Sequence, residues 1–185
     1  MAQTARNSVY SKPKVGGAVW SAPAGSTLPT DASAELDEAF KAWGFISDAG
    51  VKENNSPTST NKKAYGGTTV LVIEGGNELT YTFTPIEYLN PHVQEEIYGG
   101  SHVTKAGEKL GGVEVTDDTH EHRVFVFEHI LSDGTIERDV LPDAVVSSFA
   151  ANTYSESDAL GPEVTVTPFP DSKGVKVYKY FAAAA

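Results

Sequence analysis

Hydrophobic and polar positions alternate along most of this chain with the two-residue period of β-strands, and only one stretch carries a convincing helical period. In residues 68–74 the run Val70, Leu71, Val72 and Ile73 is too short and too β-branched for a helix. Gly75, Gly76 and Asn77 follow, residues that tolerate positive φ, and they predict a tight hairpin turn. In residues 79–84, Leu79, Tyr81 and Phe83 alternate with Thr80, Thr82 and Thr84, so one face is expected in the core. The spacing then predicts a helix over residues 85–98. Thr84 suits its N-cap, Pro85 its first position and Glu87 its positive first turn. Ile86, Leu89, Val93 and Ile97 fall on one stripe that a sheet must cover, while Pro91 lies inside the pattern and splits or kinks it. Gly99 and Gly100 end it.

The rest of the chain is read in order. Residues 1–17 are polar, with Arg6, Lys12 and Lys14, and predict an extended arm that orders against a partner. A short strand at 18–21 precedes a loop. Leu36, Ala39, Phe40 and Trp43 then predict a turn or two of helix within 31–42, capped by Asp31 or Ser33. Residues 43–51 read as a strand bending at Asp48, Ala49 and Gly50, and the polar stretch 52–67 as a mobile loop or a hairpin wetted on both sides.

Val103, Leu110, Val113 and Val115 mark weak strand points within 102–119. Residues 121–131 form the strongest strand. Val124, Val126 and Glu128 occupy one side, and Arg123, Phe125, Phe127 and His129 the other, so it is expected to be covered on both faces. Asp133 and Gly134 turn the chain; 136–141 returns, and Pro142 and Asp143 are expected to break it before a separate strand at 144–151. Strands at 163–169 and 175–181 complete a predicted set of about seven to ten. The fold class expected is mainly β, a β-sandwich or barrel with one flanking α-helix at about residues 85–98.

With 185 residues, one domain is expected, and it is long enough to bury a full core without staples. There is no cysteine, which excludes disulfides, thiolate chemistry and sulfur-ligated zinc. The opening residues are polar and no apolar run approaches membrane-spanning length, so neither a secretory leader nor a membrane segment is expected. Asn54, Asn55 and Ser56 match a glycosylation sequon, which is read as plain loop on the same ground. A net charge of −11 argues against ordinary nucleic-acid binding, since nothing offsets phosphate repulsion. The same charge suits a surface past which a polyanion must slide.

Candidate chemistry is sparse. His120 and His122 share a strand face and His129 lies further along, but no third metal ligand is placed by spacing. There is no Gly-x-Ser-x-Gly nucleophile elbow, and the glycine pairs precede no Lys-Ser or Lys-Thr at a helix start. The neighbouring carboxylates Glu95 and Glu96, and Asp117 and Asp118, diverge on a regular backbone and read as solvated surface. No catalytic residue, metal ligand or cofactor site is assigned.

Other stretches carry a resemblance. The segment from Trp20 through the Ala22-Pro23-Ala24-Gly25 loop to Thr30, and that from Ala42 to Val51, resemble the opening of major tail proteins of long, non-contractile-tailed bacteriophages. So do Thr80 to Thr84 before the helix, the strand Arg123 to Phe127, and the ending from Pro162 to Phe181.

The resemblance implies a structural virion protein: hexameric rings stacked into a tail tube that conducts the genome. Its division would be an arm at 1–17, one tail-tube β domain at 18–181 with an assembly loop at 52–67, and a tail at 182–185. Partners implied are further copies of itself, a tape-measure protein, and tail terminator and distal tail proteins. DNA would pass without specific binding, and no membrane is involved. The location implied is the virion tail, assembled in the host bacterial cytoplasm.

Candidate inter-ring residues are Lys52, Glu53, Asn54, Asn55, Lys62 and Lys63; candidate lumen carboxylates are Glu53, Glu137, Asp139 and Asp143. The alternative function is a monomeric ligand- or carbohydrate-binding β-sandwich using Tyr88, Tyr98 and Tyr154 as a platform. An acidic β-barrel hydrolase is weaker still, for want of a catalytic set.

Overall fold

The computed structural model describes residues 8–183. Its strands, in chain order, are β1 (Ser11–Pro13), β2 (Val19–Pro23), β3 (Lys41–Ala42), β4 (Lys52–Lys63), β5 (Thr69–Phe83), β6 (Val103–Ala106), β7 (Lys109–Val113), β8 (Arg123–Leu131), β9 (Thr135–Phe149), β10 (Val164–Pro168) and β11 (Tyr178–Ala183), with one α-helix, α1 (Pro91–Tyr98). The fold is mainly β with a single α-helix among the described residues. A large antiparallel sheet runs β3-β2-β8-β9-β10-β5-β4, with β1 added beside β8 and β11 beside β9, while β6 and β7 form a small separate hairpin.

The sheet curls on itself until its ends nearly meet. Beyond β3 the chain reaches Ile46, which bridges Pro85 just past β5. The amides of Ser47 and Ile86 donate to the carbonyls of Thr84 and Phe45, both at 2.9 Å, and this seam completes a barrel-like closure. Gly44 stands at the seam with φ of +79°, a conformation that favours glycine, and a Cβ there would displace the Glu87 carboxylate, whose carbon would lie 2.1 Å away. Inside, Tyr81 stacks on Phe127 with ring centroids 4.6 Å apart, and Trp43 meets Phe83 edge-on at 5.0 Å. Val93 and Ile97 of α1 pack into the same core. The opposite face of β8, Val124 and Val126, is covered by Leu28, Leu36 and Phe40, so this strand is buried on both sides as its pattern implied.

Several expectations need correction. The helix begins six residues late, at Pro91, because proline has no N–H to give and clashes with a preceding helical turn. Asn90 is its N-cap, accepting from the His92 amide at 3.0 Å. Glu87 instead accepts the Phe45 amide at 2.9 Å, and Leu89 is 72% exposed, off the buried stripe.

No helix forms across residues 31–42. The Asp31 carboxylate takes the amides of Ser33 and Ala34 at 2.7 and 2.6 Å, which holds the backbone in a turn. The expected strand at 43–51 reduces to the single Ile46 bridge. Gly75 and Gly76 do not turn the chain: β5 runs straight through them with a bulge opposite Thr58 and Ser59. The turn lies instead at Tyr65, Gly66 and Gly67, where both glycines take positive φ, +105° and +93°.

Pro142 does not end β9. Arg123 faces Ala144 and Phe125 faces Leu141, so the extra β9 residue forms a bulge where the missing N–H costs no ladder bond. At the same place β9 exchanges its other neighbour, β11 up to Val140 and β10 from Ala144. The arm also differs from expectation in its described part. Ser11–Pro13 pairs with β8 of the same chain, and Lys14 binds Glu128 at 2.8 Å. Residues 1–7 lie outside the described residues. Of the expected C-terminal tail, Ala182 and Ala183 belong to β11, paired with Ile136 and Thr135, and residues 184–185 lie outside the described residues.

Candidate functional site

The most unusual surface is the hairpin of β4 and β5. Polar β4 pairs with β5 from Lys52 opposite Thr82 to Lys63 opposite Thr69. Only its root belongs to the barrel: β10 pairs with β5 at Tyr81 to Phe83 alone, and burial begins at Leu79. From there the two strands project alone, over roughly 30 Å at the usual rise per residue. The apolar run that predicted a core strand lies on this projection, with Val70 65%, Leu71 55%, Val72 54% and Ile73 44% exposed. Tyr65 at the tip is fully exposed. Lys176 donates to the Asn77 carbonyl near the root at 2.7 Å, but no strand pairs with the ribbon beyond it on either flank among the described residues, which leaves an exposed apolar edge.

All six candidate assembly residues, Lys52, Glu53, Asn54, Asn55, Lys62 and Lys63, lie on β4 of this hairpin and are exposed. Asn55 and Asn77 hydrogen-bond across it. Residues 52–67 are thus neither a mobile loop nor a hairpin of their own: Lys52–Lys63 is one continuous exposed strand, and its partner is the apolar β5 beyond the turn.

Of the lumen candidates, Glu53, Glu137 and Asp139 converge on Lys179 of β11. Its Nζ lies 2.6 Å from Glu53, 2.9 Å from Asp139 and 3.9 Å from Glu137. Tyr81 donates its hydroxyl to Asp139 at 2.7 Å, and burial with this carboxylate beside it raises the phenol's pKa. Burial and the neighbouring Asp139 likewise raise Glu137. Burial opposes the charge on Lys179, yet its hydrogen bonds to Glu53 and Asp139 prevail and raise its pKa. This cluster ties β4, β5, β9 and β11 together at the hairpin root. Asp139 is only 3% exposed, so it is a buried anchor and not part of a wetted wall. Asp143 lies apart, 2.6 Å from His122.

His120 packs edge-on against Phe149. Among the described residues no three His, Cys, Asp or Glu side chains converge in a metal-holding group.

Sequence spacing did not reveal a second buried set beneath α1. Ser21 Oγ lies 2.9 Å from His92 Nε2 and accepts from Trp43 Nε1 at 3.0 Å; Glu96 lies 3.8 Å from His92 and 3.5 Å from Arg123. The serine, histidine and glutamate match a hydrolytic set by residue type alone. Ser21 is fully buried under Trp43, so its hydroxyl meets the helix and not solvent. The set fastens α1 to β2 and β8. Glu96, expected with Glu95 as solvated surface, is instead buried, because α1 turns it inward toward His92 and Arg123; the four-residue spacing of His92 and Glu96 was the only sequence signal for the set.

No family model matches this chain, and no curated protein is significantly similar to it.

Of the proposed aromatic platform, Tyr154 is 77% exposed and lies beside Tyr88, whereas Tyr98 packs against Phe149 at 5.7 Å and leans into the core.

Proposed function

We propose that this protein is a self-assembling tube subunit, the major tail protein of a long, non-contractile-tailed bacteriophage, forming stacked hexameric rings through which the genome leaves the particle. The observation that carries the reading is the projecting β4–β5 ribbon with Val70 to Ile73 exposed. Isolated two-stranded ribbons are marginal in water, and one bearing four neighbouring apolar side chains gains by burying them against another molecule. The segments from Trp20 to Thr30 and Arg123 to Phe127 supply the resemblance. The net charge of −11 supports a bore that repels phosphate, so that DNA slides past hydrated carboxylates.

In this reading the chain works in the virion tail after assembly in the bacterial cytoplasm, with tape-measure, terminator and distal tail proteins as further partners. The test is direct. Purified protein is examined by light scattering and negative-stain microscopy over a range of concentrations. Rings or tubes are expected. A species that stays monomeric at every concentration, and that binds a glycan, would replace the proposal with the monomeric ligand-binding module.

A further inference from the structure

We propose that the Lys179 amine and the Asp139 carboxyl group condense into an isopeptide bond, a side-chain amide that joins β11 covalently to β9. Register brings the two groups face to face. Lys179 stands directly opposite Asp139 in the antiparallel β9–β11 ladder, and its Nζ lies 2.9 Å from Asp139 Oδ2, one atom short of the carbon it would attack. The sheet itself holds amine and acid in contact.

The surroundings favour an amide over two charges. The Asp139 side chain is 4% exposed, and opposite it on β8 stands Phe127, whose ring stacks on Tyr81. An ion pair in such a place carries a desolvation cost that a neutral amide does not. Oδ2 accepts from both Tyr81 and Lys179, whereas Oδ1 is buried and accepts no hydrogen bond from the described residues. Amide formation expels one oxygen, and Oδ1 is the one that no donor holds.

Two glutamates carry the protons. Glu53, 2.6 Å from Nζ, takes the first proton of the ammonium. Glu137 lies two residues from Asp139 on the same face of β9, and burial with Asp139 beside it favours its protonated form, so it can protonate Oδ1. The freed amine then adds to the carboxyl carbon, and the Tyr81 hydroxyl, 2.7 Å from Oδ2, donates to the oxyanion formed there. The Oδ1 hydroxyl departs as water with the proton that Glu53 carried, and Glu137 regains its own from the nitrogen. One C–N bond forms, one C–O bond breaks and one water leaves, with no oxidant or reductant involved. The bond ties together positions 40 apart and fastens the last strand at the ribbon root, in a chain that has no cysteine for a disulfide.

Intact mass, measured on fresh protein and after prolonged incubation, tests the bond. A mass below that of the sequence by one water is expected, with the tryptic peptides that carry Asp139 and Lys179 found joined. Lys179→Arg, which keeps the charge, is expected to lose no water, and Glu137→Gln to form the bond roughly a hundredfold more slowly. A parent protein that keeps its full mass overturns the proposal. So does a lost water that maps instead to a link between Lys179 and Glu53, or to an imide at Asp133-Gly134. These measurements need only the single folded chain, so their failure leaves the tube reading untouched.

Discussion

Glu96 sits in a place hostile to charge. Its side chain is 4% exposed, and burial pushes its pKa up to about 7 despite the Arg123 guanidinium 3.5 Å away. The folded state thus favours the protonated acid. Its stabilising contribution is complete below the ordinary glutamate pKa and is lost as pH rises toward 7. His92, lowered to about 4 by burial, runs the other way: its contribution is present above the ordinary histidine pKa and fades as pH falls toward 4. Glu96→Gln, which keeps the shape and cannot ionise, is expected to gain on the parent by about 3 kcal/mol between mildly acidic pH and about pH 8. Denaturant unfolding across that range checks it, and a pH-independent difference would refute it.

Arg138, fully buried, holds Glu128 at 2.5 Å and donates to the carbonyls of Asp31 and Ala34, both at 2.7 Å. Arg138→Leu leaves Glu128 a buried charge with Lys14 alone, and a loss of about 3–5 kcal/mol is expected by the same measurement. On the helix and its approach, Val93→Asp is expected to unfold the protein, whereas Leu89→Asp, on an exposed side chain, should leave the melting temperature nearly unchanged.

At the scale of elements, local pattern was enough wherever an element is decided by its own residues. The β8 alternation, the Asp133-Gly134 turn and the polar-apolar repeat of β10 all read directly from sequence. Legibility failed where a distant partner decides. The run Val70 to Ile73 has the composition of a core strand, and nothing local says that it lies beyond the barrel. Gly75 and Gly76 satisfy the chemistry of a turn as well as that of a bulge, and the choice between them is made by β4, which reaches far enough to pair on both sides of them. Pro142 likewise reads as a break until the bulge opposite β8 absorbs it.

The ribbon offers its own prediction. Val70→Lys with Val72→Lys changes only exposed side chains, so the unfolding free energy should move by about 0.5 kcal/mol or less, while the assembly that the tube proposal requires is expected to be lost. Thermal unfolding and light scattering on one sample separate the two effects.

For the whole molecule, fold class and a single helix were legible because alternation dominates the chain, but barrel closure was not. It depends on Ile46 meeting Pro85 across some forty positions of intervening chain, a contact without periodic signature. The converging site at Lys179 was half visible: three of its carboxylates were singled out as charges on polar strands, but their shared counter-ion comes from the last strand.

Removing residues 1–17 takes away β1 and the Lys14 partner of buried Glu128. A folded protein weakened by about 1–3 kcal/mol is expected, and under the tube proposal impaired polymerisation as well. Chemical unfolding and microscopy check the two halves, and unchanged tube growth would count against the arm's part in assembly.

The Ile46–Pro85 bridge also sets where the barrel gives way. The other joins around the circumference are ladders of consecutive paired residues, whereas this one is a single rung with two flanking amides. Breathing of the wall should begin there, so in deuterated buffer Ser47 and Ile86 ought to trade their protons well before Phe125 and Phe127. A neighbour that clamped this spot would stiffen the whole hoop, and the slowing of those two amides would report it.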